Sequence, residues 1–520
     1  MRKITSVNLF FLSLGSIIGS GWLYGVYFTA KTAGNSAVIS WILGGFMLAI
    51  IALCYAEVSL NKQFNNLTQV AKGSFGKNGN ILVSLLTWIW TTLIPPIEVQ
   101  ATVQYASNYL PWIKDQSSKE FSYSYLGFLL SFFLLFIMFL VNIFSSNTVG
   151  RVNKIITFVK VIIPVAVSCI FIYVLFQNPS NVLNNLSTGF FSEGIENTFS
   201  AISTCGIAFS FIGFQTVIFL ANETENPQKS IPRAIFGSIF IALIIYVMVQ
   251  LSFNLSVPNT YLNDGWSQLS FAGDSGPIAG LLGIFGFVSF SYFLYIDAVI
   301  SPFGTGLGYK TAASRVLAEI SDNKILPKFI SIRNRFGSPY LSNSINFFIG
   351  LFFIYFFPSW SYMIVILCGL IILTMSYVPL YVIYLRISNF NNTSFKMKRY
   401  LLTSFLSFFF CNLMFVWCGW EAIRIVMIIF FVILSFTIIK DIKFKTIKFN
   451  PIYHLFLPSH ICLLGYVTYF KFINKNISFS LEVSSLFVFS LMSFLLYRKM
   501  ILSHSQKKIF TKKDAQADFT

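Results

Sequence analysis

Apolar residues fall in long runs along almost the whole chain, separated by short polar stretches. Runs of about 17 to 28 residues match the length a helix needs to cross the hydrocarbon of a bilayer. Fourteen such runs can be marked: 5–30, 36–60, 82–110, 123–145, 152–177, 198–221 and 233–255, then 276–304, 341–357, 361–386, 400–418, 422–439, 452–470 and 480–497. They are apolar on every side, whereas barrel strands alternate in character over about ten residues, so the pattern predicts an all-helical chain and excludes a membrane barrel. The first run is long, punctuated by glycine and without a convincing cleavage site, which reads as helix 1 rather than a secretory leader.

Composition agrees with lipid as the main solvent. Of 520 residues, 56% are hydrophobic and only 10% charged, and mean hydropathy is +0.72; soluble domains carry about 25% charged residues. The expectation is one polytopic membrane unit, embedded in the lipid bilayer, with no soluble domain at either end. The formal charge of +18 is topological, because cytoplasmic loops retain Lys and Arg. With the N-terminus inside, 29 of the 36 basic residues fall in cytoplasmic segments; only Lys31, Lys114, Lys119, Lys471 and Lys475 fall outside, and Lys160 and Arg424 lie within spans. This bias predicts an even number of spans with both termini in the cytoplasm, and it implies no nucleic acid. Seven cysteines (54, 169, 205, 368, 411, 418 and 462) lie in or at the ends of apolar runs without a C-x-x-C pair, and His454, His460 and His504 form no cluster, so neither disulfides nor metal nor any cofactor is expected. No phosphate-binding G-x-x-x-x-G-K-[ST] loop occurs, which argues against a primary pump, and no nucleophile and base pair suggests an enzyme.

Two runs are broken at mid-span. Helix 1 carries Gly15, Gly19 and Gly21 within Gly15–Gly21, and the sixth carries Phe209-Ser210-Phe211-Ile212-Gly213-Phe214-Gln215-Thr216. Glycine costs a helix up to about 1 kcal/mol relative to alanine, and freed backbone groups cannot face lipid, so each break belongs beside a cavity. Close packing through Gly15 and Gly19 is the alternative for the first break taken alone. Breaks in helices one and six are what two inverted five-helix repeats produce, with a substrate between them near the midplane. Half-helix N-termini offer N–H groups to an anion and C-termini offer carbonyls to a cation, which suits an α-amino acid zwitterion.

These breaks, with Tyr55-Ala56-Glu57, Glu223-Thr224-Glu225-Asn226-Pro227, Ile231-Pro232-Arg233-Ala234-Ile235, and Ser314–Glu319 with Leu326-Pro327, are similar to motifs of the amino acid, polyamine and organocation transporter superfamily. Within it, Ile296-Asp297-Ala298-Val299-Ile300-Ser301-Pro302 and the number of spans resemble bacterial aspartate:proton symporters. The resemblance implies a leucine-transporter-type core at 5–390, with repeats at about 5–177 and 198–386, four further membrane helices at 400–497, and a polar cytoplasmic tail at 498–520. It implies that the amides of Ser20 and Gly21, beside Gly19, hold the substrate carboxylate, that the carbonyls of Ile17, Phe209 and Ile212 accept from its ammonium, and that the Phe209 ring closes over it. The function implied is secondary active transport of amino acids, driven by protons; exchange, or sensing without transport, are the alternatives, and a sensor would need a longer soluble segment than the tail offers.

Ionisable residues inside spans are costly, at about 2.5 to 3.5 kcal/mol or more each, and so are candidates for function. Lys160 lies about 9 Å deeper than Lys154 at 1.5 Å per residue. Pro164 leaves the carbonyl of residue 160 without its helical donor, as expected beside a cavity; snorkelling is the competing reading. Proton-coupled relatives place a lysine here where sodium-coupled ones hold an ion, so Lys160 is the expected proton-coupling residue. Asp297, with Ser301 one turn later, either binds the substrate ammonium or exchanges a proton, or else forms a structural bridge to Lys160. Glu57 reads as structural or interfacial, the pair Glu421 and Arg424 as interfacial, and Glu98, after Pro95-Pro96, as either a local network or a transport group. Periodicity does not fix an oligomeric state.

Overall fold

The computed structural model describes residues 5–60, 70–115, 122–144, 146–187, 189–219, 224–270, 276–357, 359–388, 395–443, 450–474 and 477–517. Glu223 lies outside these, as do the side chains of Asn153, Lys154 and His504. Among the described residues nineteen α-helices succeed one another: α1 (Ser6–Ile17), α2 (Gly21–Ala33), α3 (Ala37–Ser59), α4 (Val70–Ala106), α5 (Tyr125–Val141), α6 (Ser146–Gln177), α7 (Pro179–Ser187), α8 (Ile195–Thr204), α9 (Ile207–Phe211), α10 (Thr216–Phe219), α11 (Pro227–Ser256), α12 (Pro277–Ile284), α13 (Val288–Asp322), α14 (Tyr340–Phe356), α15 (Trp360–Ile387), α16 (Tyr400–Trp417), α17 (Trp420–Lys443), α18 (Leu457–Ile473) and α19 (Phe479–Ala517). An isolated β bridge joins Lys114 and Tyr123. Nine described helical stretches are long and apolar enough to cross a membrane, ten with the bent pair formed by α8 and the segment after it.

Each of the fourteen apolar runs coincides with helical structure, and the differences lie at the ends and breaks. The run at 276–304 is two helices, and α13 continues to Asp322, so Ser314–Glu319 is helical where a loop was expected. The cause is amphipathicity: Ala313, Val316, Leu317 and Ile320 are buried in that stretch, and hydropathy falls at Lys310, Arg315 and Glu319 while the helical period persists. The helix stops where Lys324 adopts φ +60°. The expected polar tail is helical as far as Ala517.

The first helices fold back on each other. Trp41 is sixteen positions beyond Gly25, about 24 Å along a straight helix, yet a Cβ on Gly25 would sit 3.3 Å from its ring. Gly34, at φ +59°, makes the turn between α2 and α3. A buried polar chain pins this hairpin to α11: Trp41 Nε1 donates to Gln250 Oε1 at 2.6 Å, Gln250 Nε2 donates to Val26 O at 3.1 Å and to Asn254 Oδ1 at 2.6 Å, and Asn254 Nδ2 donates to Gly34 O at 2.7 Å. Hydrogen bonds of this kind hold helices together where the surrounding lipid removes the hydrophobic drive to associate. The outer surface is correspondingly greasy, with Phe133, Phe158, Phe240, Phe348 and Ile428 all more than half exposed.

Candidate functional site

Both mid-span breaks are present and they touch. α1 ends at Ile17, Ile18 is extended (φ −79°, ψ 101°), and α2 restarts at Gly21. The sixth run breaks twice: Gly206 (φ +81°) separates α8 from α9, bending the pair by 52°, and Ile212 is extended (φ −70°, ψ 137°) ahead of Gly213. Gly213 has φ +141°, and a Cβ there would lie 2.6 Å from Ile17 N. Only glycine lets the second break press its backbone against the first. Gln215 Oε1 accepts from Gly213 N at 3.0 Å and fixes the turn.

Lys160 is completely buried. Its Nζ donates to Gly15 O of α1 and to Thr305 Oγ1 of α13, both at 2.8 Å, so one ammonium ties α6 to α1 and α13 at the start of the break. A cation there complements the negative end of α1. It does not snorkel. Asp297 is also buried, but neither of its carboxylate oxygens, nor Ser301 Oγ, has a hydrogen-bond partner among the described residues. The alternative reading of Asp297 as a salt bridge to Lys160 therefore fails: the ammonium is committed to neutral oxygens.

Glu98, left open between two roles, is placed at the break. Its Oε2 accepts from Ser20 N at 3.1 Å, one of the two amides expected to hold a substrate carboxylate, while Oε1 has no partner among the described residues. A Cβ on Gly19 would come within 2.7 Å of that free oxygen. Gly21 is equally confined, with Ser210 Cβ 2.9 Å from where its own Cβ would be. Ile17, Phe209 and Ile212 are buried beside these glycines. Tyr246 of α11 donates its hydroxyl to Ser210 O at 3.0 Å and to Ile17 O at 3.3 Å, so one of the carbonyls expected for an ammonium already has a donor.

A second aromatic residue in hydrogen-bond range of the break is Trp360 on α15: its Nε1 donates to Ser20 Oγ at 3.3 Å, its ring centroid lies 4.9 Å from that of Tyr24, and it stacks on Phe28. Trp360 and Tyr246 were missed from the sequence, because an aromatic in an apolar span carries no mark of its facing. Glu57 and Glu421 both have charged partners. Glu57 accepts from Arg386 Nε at 2.7 Å and from Met397 N at 2.9 Å, and Glu421 pairs with Arg424 at 2.5 Å in a half-exposed position. Among the described residues no group of three or more His, Cys, Asp or Glu could hold a metal.

Two backbone breaks in contact, with a buried lysine bonded to the helix end at the first, fit a membrane transporter. The family model described as amino acid permease matches residues 4–458, and the chain belongs to that family. It is similar to the glutamate/serine transporter AimA of Bacillus subtilis, 31% identical over 425 residues (81% of this chain, 78% of the relative). It is similar too to the aspartate-proton symporter of the same organism, 30% identical over 428 residues (81% and 80%). The D-serine/D-alanine/glycine transporter of Escherichia coli is 23% identical over 339 residues (63% and 67%). The chain is an amino acid transporter rather than an enzyme.

Proposed function

We propose that the protein is a proton-coupled amino acid symporter of the cytoplasmic membrane, with both termini inside. In this reading residues 5–390 form two inverted repeats, 400–497 add four helices, and 498–520 are a cytoplasmic tail. The breaks fall in the first helix of each proposed repeat. The substrate carboxylate is received by the amides of Ser20 and Gly21, where Gly19 and Gly21 permit close approach, and the ammonium by the carbonyls of Ile17, Phe209 and Ile212, with Phe209 covering the site. Glu98 occupies the Ser20 amide until substrate arrives, so a carboxylate substrate competes with a carboxylate of the protein. The names of the relatives make glutamate, aspartate and serine the first substrates to test.

The observation that carries the coupling is the position of Lys160 between Gly15 O and Thr305 Oγ1. When charged, its ammonium bonds both and holds α1 against α13; when neutral, it loses ion–dipole attraction to the end of α1 and the two helices separate more readily. Asp297, buried without a partner among the described residues, is the second group for which gain or loss of a proton changes the local charge. Uptake of labelled substrate into proteoliposomes in sodium-free medium tests the reading. A pH gradient should drive uptake and an uncoupler abolish it, and Lys160→Ala and Lys160→Arg should lose the gradient dependence. Uptake that requires sodium, or variants that retain wild-type gradient dependence, would sink it.

A further inference from the structure

Helix α8, the outer half of the doubly broken run, is ten residues long and has a glycine in a positive-φ conformation at each end. Gly194 precedes it at φ +90° and Gly206 follows at φ +81°. A Cβ on Gly194 would meet nothing within 4 Å, so that end is open as well as flexible. Glycine passes through backbone conformations closed to other residues, and two such positions let the segment between them turn as a unit.

One face of this hinged segment is held by the last helices of the chain. Glu196, Phe199 and Ser203 share a face at helical spacing. Ser203 Oγ donates to Met414 O of α16 at 2.7 Å. The Phe199 ring lies 4.8 Å from Phe479 and 5.5 Å from Trp417. At the far end, Glu196 Oε1 is 2.7 Å from Lys471 Nζ of α18, and the same ammonium donates to Glu482 Oε2 of α19 at 2.6 Å.

The two ion pairs are unequal. Glu482 is 2% exposed, Lys471 is 23% exposed and Glu196 is 44% exposed. Separating Lys471 from Glu482 would strand a buried carboxylate, which is costly. Separating it from Glu196 moves a carboxylate that water already reaches, and a solvated pair of this kind is weakly held. Glu196 is therefore the releasable partner, and Lys471 with Glu482 the fixed one.

We propose that the last four helices act as the mount for a latch: Lys471, fixed by Glu482, grips Glu196 and holds α8 in the position seen here, and release of Glu196 lets α8 swing on Gly194 and Gly206 during transport. The proposal rests on the transport reading, and two measurements keep the two apart. In the first, Glu196→Cys and Lys471→Cys are combined in the full chain, joined by a short bis-methanethiosulfonate cross-linker, and assayed for labelled glutamate or serine uptake in proteoliposomes. Each single variant treated identically controls for the native exposed Cys169 and Cys462. Cross-linking should reduce uptake at least tenfold and reduction should restore it; a cross-linked protein that transports at the uncross-linked rate overturns the latch. In the second, which needs no transport, amide hydrogen exchange is compared between wild type and Glu196→Gln. Residues 195–204 should exchange several-fold faster in the variant while α18 and α19 keep their protection. Unchanged exchange in 195–204 overturns the latch, whereas absence of uptake by the wild type would overturn only the transport reading.

Discussion

At the first break glycine is demanded by neighbours, since none of Gly15, Gly19 and Gly21 has a positive φ. Each presses against a side chain: Thr157 for Gly15, Glu98 and Thr305 for Gly19, Ser210 for Gly21. Bulk should therefore matter more than chemistry. Gly19→Val and Gly21→Val are expected to abolish equilibrium binding of labelled substrate, while Ser20→Ala, which loses the long contact to Trp360 and a side-chain contact to Glu98 but keeps the backbone amide, retains most of it; valine variants that fold and bind normally would place the carboxylate elsewhere. Glu98→Gln separates the charge of Glu98 from its shape, because the amide oxygen still accepts from Ser20 N. With the competing negative charge gone, an anionic substrate should bind several-fold tighter and its binding should vary less with pH. Binding curves at several pH values check this, and a variant with weaker binding and wild-type pH dependence contradicts the competition. Glycines in an apolar run and charges at mid-span were legible in the sequence because each is out of place there. Trp360 and Tyr246, which complete the site, were not, because burial of an aromatic residue is the ordinary outcome in such helices.

The elements were legible wherever hydropathy and helical period agree, and misread where they part. Runs end where charge appears, but α13 continues through Lys310, Arg315 and Glu319 because its buried face persists. The sixth run announced one discontinuity through Gly213, while Gly206, between Cys205 and Ile207, did not mark the second. Gly213 makes the sharper prediction. Alanine there would have to adopt φ +141° and place its Cβ against the backbone of Ser16 and Ile17, so Gly213→Ala should cost about 1–3 kcal/mol of strain and lower the unfolding temperature in detergent. A variant as stable as wild type would mean that the breaks do not pack as described. Glu57 and Arg386 join the ends of α3 and α15, with Arg386 also over the Tyr400 ring. Removing one partner of a buried pair strands the other charge, at about 3–5 kcal/mol, whereas removing both is far cheaper. Arg386→Met should thus destabilise strongly, and adding Glu57→Gln should recover part of the loss in the same melting assay; a double variant less stable than the single would refute that account.

For the whole molecule, the excess of basic residues is read as orientation, and one of them bears directly on how far that reading reaches. Lys310, assigned by position to a cytoplasmic loop, is 1% exposed on α13, with its ammonium 5.6 Å from the centre of the Phe347 ring and no hydrogen-bond partner among the described residues. It belongs with the buried charges, and in the proposed orientation the asymmetry survives its removal because Arg315 to Arg335 still count for the same segment. A buried lysine is tolerated in a span only at a cost of a few kcal/mol, whereas loop lysines and arginines act during insertion by resisting transfer across the membrane. The proposed orientation therefore depends on Lys396, Lys398 and Arg399 before α16, Lys440 to Lys448 from the last turn of α17 onward, and Arg498 to Lys513 near the C-terminus. The expected outcome is that epitope tags at both termini are digested by protease in inside-out membrane vesicles and protected in right-side-out ones. Exchanging the six basic residues from Arg498 to Lys513 for glutamine should weaken that protection at the C-terminus while leaving the N-terminus in place, since two basic residues remain before α1. Tags found on opposite faces in the unaltered protein would require an odd number of spans, and the assignment of one of the shorter apolar helices, Ser6–Ile17, Tyr125–Val141 or Tyr340–Phe356, would then have to change.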